Sequence, residues 1–379
     1  MTFNMTKVLY TPFLKMKDSE ISALIELDEA QKRALVPFFD IPRRDEKKTR
    51  DPLAIVKTKE ECFINGVSRS SKRISKKLKS ISNFYVDNFD LDYDLKPLKR
   101  DTYIQIIEAY APLGMLPVTG IDRTDEHHKN IIDALAQSLI KPETIALRLL
   151  KDDFEDFDYV KNDIQDLFDD YLSKFVNIDL VMDCRVMIDE DEIGLSSKII
   201  TFIQKYSSYF PLRKVIVTGS MIPPSIGDVI DTKDEKVLNR KEVSLFKIVK
   251  QDTKDVEVTL GDYTCVSPDY SNADFFAEDM QNIMTGKIIY PIEVSKIADK
   301  VLFIRGSKLK IDKTQFCDLC YSLVFGDWMP YFRVKENSFG GKFIYACATK
   351  VKNNATASTI VKPLVNAHIT YMLSISSQL

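Results

Sequence analysis

Histidine is nearly missing from this chain: His127, His128 and His368 are its three copies in 379 residues. Chemistry that needs an imidazole as base or metal ligand therefore has few places to reside. A serine–histidine–aspartate triad is further disfavoured because no nucleophile-elbow sequence is present. Cysteine is sparse as well. Cys62, Cys184, Cys265, Cys317, Cys320 and Cys347 are scattered along a long chain, which is the usage of a reducing compartment and not a disulfide framework. No apolar run approaches the roughly 18 residues of a membrane span. The N-terminus has no apolar signal-peptide core, so the expected location is the cytoplasm and no membrane partner is expected. Neither sign of charge dominates: the net charge is −3, and nothing global selects nucleic acid, although local basic patches remain open. Low-complexity segments, Pro/Gly/Ser-rich linkers and repeats beyond a strand–helix period are absent too.

What is present is an ordinary globular composition, 45% hydrophobic and 29% charged, long enough for one large domain or two ordinary ones. Eight short runs rich in Val, Ile, Phe and Tyr alternate with longer amphipathic segments. They lie at 7–15, 35–42, 83–89, 114–122, 144–150, 178–185, 214–222 and 258–266. Several are apolar at nearly every position, as parallel strands covered on both faces require. Between them, 19–35, 126–140, 159–175 and 196–210 carry the 3.6-residue period of helices. Strand–helix repetition implies parallel crossovers, and a count of eight favours a closed (β/α)8 barrel over the alternative, an open doubly wound sheet. The barrel is expected over 1–285. The remainder, 286–379, reads as an α+β extension packed on it: a hairpin over 286–310 with its turn near Ala298 and Asp299, then a helix over 313–324.

In such a barrel functional side chains gather at the carboxyl ends of the strands. Two runs stop abruptly at Thr-Gly, Thr119-Gly120 and Thr218-Gly219, where glycine lets backbone N–H groups approach a ligand. The same position on the other strands holds Lys15, Asp40, Asp87, Arg148, Asp183, Arg185 and Asp262 with Tyr263. A mouth lined with charges of both signs must either pair them internally or meet a ligand. Lys15, Arg148 and Arg305 suit a phosphate or carboxylate. Asp40, Asp87, Asp183 and Asp262 suit Mg²⁺, the one cofactor the residues suggest, although aspartate at a strand end is also a common helix cap.

Other features read more plainly. Cys317 and Cys320 have CxxC spacing but lie in a helical pattern with no second pair, so buried thiols are expected. His127 and His128 are expected on the surface. The stretch 68–80 holds six basic residues in thirteen and reads as a solvated helix face, with phosphate contact the sharper alternative. The acidic run 151–170 balances it, its aromatics serving as core anchors.

Several stretches in order, among them "YTPFLKMKDSEISALIEL", "LVPFFDIP", "LPVTGI", "IALRL", "VIVTGSMIP", "GDYTCVSPD", "LFIRGSK", "FCDLCYSL" and "NAHIT", resemble the beta protein family of bacteria and their mobile elements. The resemblance spans essentially the whole chain. It implies that Lys15, Glu20, Asp40, Arg148, Asp183, Gly261, Asp262, Tyr263, Asp269, Asn366 and His368 match recurrent polar positions. It carries no assigned activity, but implies a setting in phage defence or a mobile-element system, and with it a protein partner in a defence complex. The chain departs from the family pattern at Ser267, where a histidine is usual, and at Ile360-Val361, where Trp-Arg is usual. Three readings are open: a ligand-binding or sensing barrel that grips an anionic ligand or nucleic-acid end at its mouth; a Mg²⁺-dependent phosphodiesterase or nuclease; and an interaction scaffold.

Overall fold

The computed structural model describes residues 8–46, 48–141, 143–271, 276–294, 299–332, 338–353 and 355–376. Eight strands close into a parallel barrel: β1 (Tyr10–Lys15), β2 (Phe38–Asp40), β3 (Phe84–Asp87), β4 (Met115–Thr119), β5 (Thr144–Leu150), β6 (Asn177–Val186), β7 (Lys214–Ser220) and β9 (Glu257–Asp262). All eight fall within the runs read from the sequence or overlap them almost completely, and closure through β1–β9 pairing excludes the open sheet. The fold is a (β/α)8 barrel with additional C-terminal elements.

The helices between strands are α1 (Asp18–Ile25), α2 (Glu29–Arg33), α3 (Lys59–Lys77), α4 (Thr102–Tyr110), α5 (Asp125–Ala136), α6 (Phe157–Asp170), α7 (Glu192–Tyr209) and α8 (Lys241–Asp252). Their inner faces follow the expected period. In α6, Phe157, Val160, Ile164 and Leu167 are buried, three and four residues apart. Phe154 and Phe157 are core anchors as expected, whereas Tyr159 of the same run is exposed. The single helix read over 19–35 is two helices. Asp28 and Gln31 form a reciprocal capping box that starts α2 afresh, because a side-chain acceptor on the N3 amide favours a new N-terminus over continuation.

Inside the barrel one residue from each strand or its end forms an apolar plug: Phe13, Phe38, Tyr85, Val118, Ala146, Val181, Ile216 and Tyr263. The large rings lie on β1 to β3, where Phe13 and Phe38 stack with centroids 4.4 Å apart. The small residues lie on β4 and β5. That imbalance leaves lateral room above the plug for a long side chain from β5.

After β9 come α9 (Met280–Ile283), β10 (Thr285–Glu293), β11 (Asp299–Lys308), α10 (Phe316–Phe325), α11 (Phe339–Ala348) and α12 (Val361–Ser376). The hairpin β10–β11 is as read, with Asp299 opening β11; Ala298 of its expected turn lies outside the described residues. The hairpin does not stand alone. β8 (Asp234–Asn239), from within the crossover between β7 and β9, pairs antiparallel with β11. The three-stranded sheet therefore draws a strand from either side of residue 285. Cys317 and Cys320 are buried in α10, and burial among the neighbouring thiols pushes Cys317 upward.

Candidate functional site

Strand register sets the mouth. Lys15 pairs with Asp40 and Asp40 with Asp87 in adjacent strands, so three ionisable side chains stand shoulder to shoulder at one rim. Alternation along each strand points them inward above the plug. From across the barrel Arg148 on β5 crosses the space over Ala146 and meets the inward-facing strand carboxylates. Its Nη1 donates to Asp40 Oδ1 at 2.7 Å and Asp87 Oδ2 at 2.8 Å. Its Nε and Nη2 donate to Asp183 Oδ2 at 3.0 and 2.6 Å. Nη2 also donates to the Tyr263 hydroxyl at 2.9 Å, which in turn donates to Asp183 at 2.6 Å. Burial and the adjacent Asp183 push the Tyr263 phenol well above its ordinary value, so it stays a neutral donor. Burial opposes ionisation of Asp40, but Arg148 and Lys15 outweigh it and hold the carboxyl at about 2.

Arg148 is only 2% exposed and its donors are saturated. It organises the mouth; it does not present a free charge to it. The three carboxylates it gathers do not fit Mg²⁺ either, since a guanidinium holds the position between them. Among the described residues no group of three or more His, Cys, Asp and Glu side chains is placed to hold a metal ion.

Two further cations lie outside Arg148, and they take carboxylates mainly from loops. Lys15 is ion-paired with Asp90, in the loop after β3, and lies 3.5 Å from Asp40. It also donates to the Pro268 carbonyl at 3.0 Å. Arg185 donates to Asp269 Oδ1 at 3.0 and 2.7 Å, and to the Pro268 carbonyl at 2.9 Å. The backbone of Arg185 is left-handed, φ 51°, at a break in the β6–β7 register between Asp183 and Val186. A non-glycine residue in that region is strained, and a bulge at a barrel rim re-aims a side chain. Here it turns a second guanidinium over the mouth. Asp90, Arg185 and the Tyr270 hydroxyl converge: Arg185 Nη2 is 3.7 Å and Tyr270 OH 3.3 Å from that carboxylate. Burial, then the charge of Asp40, push the Asp90 carboxyl upward.

Aromatic rings cap the network. Phe89 faces three guanidinium groups, Arg148, Arg185 and Arg123, at 4.6, 4.9 and 5.3 Å. Tyr270 faces Lys15, Arg43 and Lys17 at 4.9, 5.2 and 5.9 Å. Arg123, in the loop after β4, closes the ring of charges by donating to Asp87 at 3.0 and 3.2 Å. A cavity of about 20 Å³ beside Arg123, lined in part by Asn88, Asp101 and His127, continues the mouth on that side.

The structure thus brings together six of the eight residues singled out for ligand binding: Lys15, Asp40, Asp87, Arg148, Asp183 and Tyr263. Asp262 and Arg305 are elsewhere. Asp262 ends β9 facing outward, because the next residue, Tyr263, faces in. It accepts from Tyr10 OH at 2.5 Å, Arg240 Nη2 at 2.6 Å and the Thr264 amide at 2.8 Å, and contacts His368 Nε2 at 2.9 Å. This buried cluster joins the barrel wall to α12. Burial alone would raise the Asp262 carboxyl, but His368 and Arg240 hold it well below the usual range. Asn366 does similar work, accepting from the Gly340 amide at 2.8 Å and donating to the Ala23 carbonyl at 3.0 Å. Arg305, on β11, donates to the Ile230 carbonyl at 2.5 Å and lies 3.2 Å from Thr285 Oγ1, in the outer sheet.

The Thr-Gly endings also have another cause. A Cβ on Gly219 would fall 2.3 Å from Met187 Sδ, and one on Gly120 2.6 Å from Asp122 Oδ1; both glycines admit neighbouring protein atoms. His127 and His128 are buried, not exposed. His127 stacks on Tyr103 with centroids 3.9 Å apart and its Nε2 contacts the Val118 carbonyl at 3.0 Å, and burial pulls its pKa well below the ordinary value. Phe89, Asp90 and Arg123 were not legible as site residues in the sequence. They lie two to four residues past a strand end, in loops whose path no strand pattern fixes.

Among curated proteins no match to this chain is found. A family model described as Beta protein matches residues 10–374, a span that contains every residue of the mouth network. The chain belongs to the Beta protein family.

Proposed function

We propose that the barrel mouth recognises an anionic, phosphate-bearing ligand and that the protein is a sensing component, not a catalyst. One observation carries this reading: Lys15 and Arg185 depend mainly on the loop carboxylates Asp90 and Asp269, while the strand aspartates are engaged with Arg148. In this reading Asp90 and Asp269 stand where the oxygens of a bound phosphate would stand. A ligand that displaces them finds a lysine and a forked guanidinium, with Tyr270 and Phe89 rings beside it. Because Phe89 and Asp90 are consecutive, displacement of the carboxylate also shifts the ring over Arg148, which couples occupancy to the loop. A place in phage defence rests on the family resemblance alone, and with it the proposed protein partner.

The test is thermal-shift and calorimetric titration with inorganic phosphate, mononucleotides and short oligonucleotides. Wild type is expected to be stabilised by at least one of them, and Arg185→Ala and Lys15→Met to lose the effect. Asp269→Asn, which removes a competing charge, is expected to tighten binding by about tenfold, or 1.4 kcal/mol. No stabilisation of wild type or of Asp269→Asn by any of these probes defeats the reading and leaves the network purely structural.

A further inference from the structure

Among residues that take no part in the mouth network, α3 carries a run of basic charge. From Cys62 to Val86 there is no Asp or Glu, while Arg69, Lys72, Arg73, Lys76, Lys77 and Lys79 fall in that interval. At about 100° per residue, the five of these within α3 occupy one arc of about 140°, whose Lys77 edge adjoins the buried stripe of Phe63, Val67 and Ile74. Arg69, Lys72, Lys76 and Lys77 are exposed, and among the described residues none of these four has a carboxylate partner. Arg73 is the exception, bonded to Ser22 Oγ at 2.7 Å with Asp18 3.7 Å away. Beside this ridge runs an open groove of about 440 Å³ whose lining includes Lys72, Arg73, Lys76, Lys77 and, from α12, Lys362. Glu26, tied to Lys362 at 2.5 Å, is the acid in its lining.

On a chain of net charge −3 this concentration is local, and unpaired lysines repel one another unless a polyanion is shared between them. The groove lining has no aromatic ring and Ile25 is its one apolar residue. It offers no platform for stacking unpaired bases and no apolar wedge for a bilayer. A convex helix of about 10–12 Å diameter matches the roughly 12 Å major groove of B-form DNA, which A-form RNA does not offer. We infer that the α3 ridge and its groove form a docking surface for the phosphate backbone of duplex DNA, without base readout. It is separate from the mouth and does not depend on the ligand proposed there.

The experiment is fluorescence anisotropy with a labelled 20-base-pair DNA duplex and the full chain, from 50 to 200 mM salt. Wild type is expected to bind with a steep salt dependence. The triple variant Lys72→Ala, Lys76→Ala, Lys77→Ala is expected to bind at least tenfold more weakly at 50 mM salt, with the salt slope reduced by about three. Alanine keeps the helix, and an unchanged melting temperature verifies this. Lys198→Ala, on α7, is expected to bind as wild type. The inference is overturned if wild type fails to bind the duplex at 50 mM salt, or if the triple variant keeps the wild-type slope. It is equally overturned if a 20-base-pair RNA duplex or phosphatidylserine vesicles bind as tightly as the DNA.

Discussion

Arg148 sets the chemistry of the mouth because a guanidinium offers five donors in one plane, enough for Asp40, Asp87, Asp183 and Tyr263 together. Breaking a buried pair leaves uncompensated charge, at roughly 3–5 kcal/mol. Arg148→Met is expected to lose about that much in urea unfolding at pH 7, and a loss below about 1 kcal/mol would refute the role given to it. The pH dependence should change sign. In wild type the Asp40 carboxyl is held at about 2, below its unfolded value, so its contribution is present above the ordinary carboxylate range and fades as pH falls through about 2. In the variant Asp40 loses Arg148 and keeps only the more distant Lys15 against its burial, its proton affinity rises, and stability should increase as pH is lowered from 7 toward 4. At this scale the sequence was informative about residue type and position, since Lys15, Asp40, Asp87, Arg148 and Asp183 all stand at strand ends. It was silent on partners: a pattern of strands cannot say that Arg148 reaches Asp40, three strands away and 108 residues distant.

Elements were legible where periodicity was strong. The strand runs were long enough in Val, Ile and Phe to be recognised, and α6 and α7 announced themselves by their buried stripes. Asp262 marks the limit. One residue of register separates an inward side chain from an outward one, and Tyr263 takes the inward place. The outward carboxylate then anchors α12 through His368, and a hydrophobic replacement leaves Asp262 to Arg240, Tyr10 and the Thr264 amide. His368→Leu is expected to cost about 1–3 kcal/mol. Hydrogen exchange of the amides of 361–376 should accelerate about tenfold or more while the strands β5 to β7 keep their protection. Equal acceleration throughout the barrel would show that the cluster supports the whole fold and not this docking. β8 went unread because Asp234–Asn239 is mostly polar and mostly exposed; its strand character comes from β11, not from its own pattern.

At the scale of the whole molecule the barrel and the elements after β9 are interlocked. β8 pairs with β11, and Arg240, directly after β8, is buried against Asp262 and Asp299 at 2.6 and 2.9 Å. A chain ending at residue 285 would strip Asp299 and His368 from that cluster and leave a buried arginine and the edge of β8 uncovered. Such a truncation is expected to be insoluble or to unfold without a cooperative transition in circular dichroism; a soluble fragment with a sharp transition would show the barrel to be self-sufficient. The amino-acid sequence by itself determined the alternation of strand and helix, the count of eight and the positions from which charges could enter the mouth, because those depend on local period and side-chain alternation. Only the tertiary structure decided which carboxylates share Arg148, that Asp262 belongs to the outer wall, and that a strand within the crossover completes the terminal sheet. Each of those depends on register and on contacts between residues distant along the chain, which local pattern does not encode.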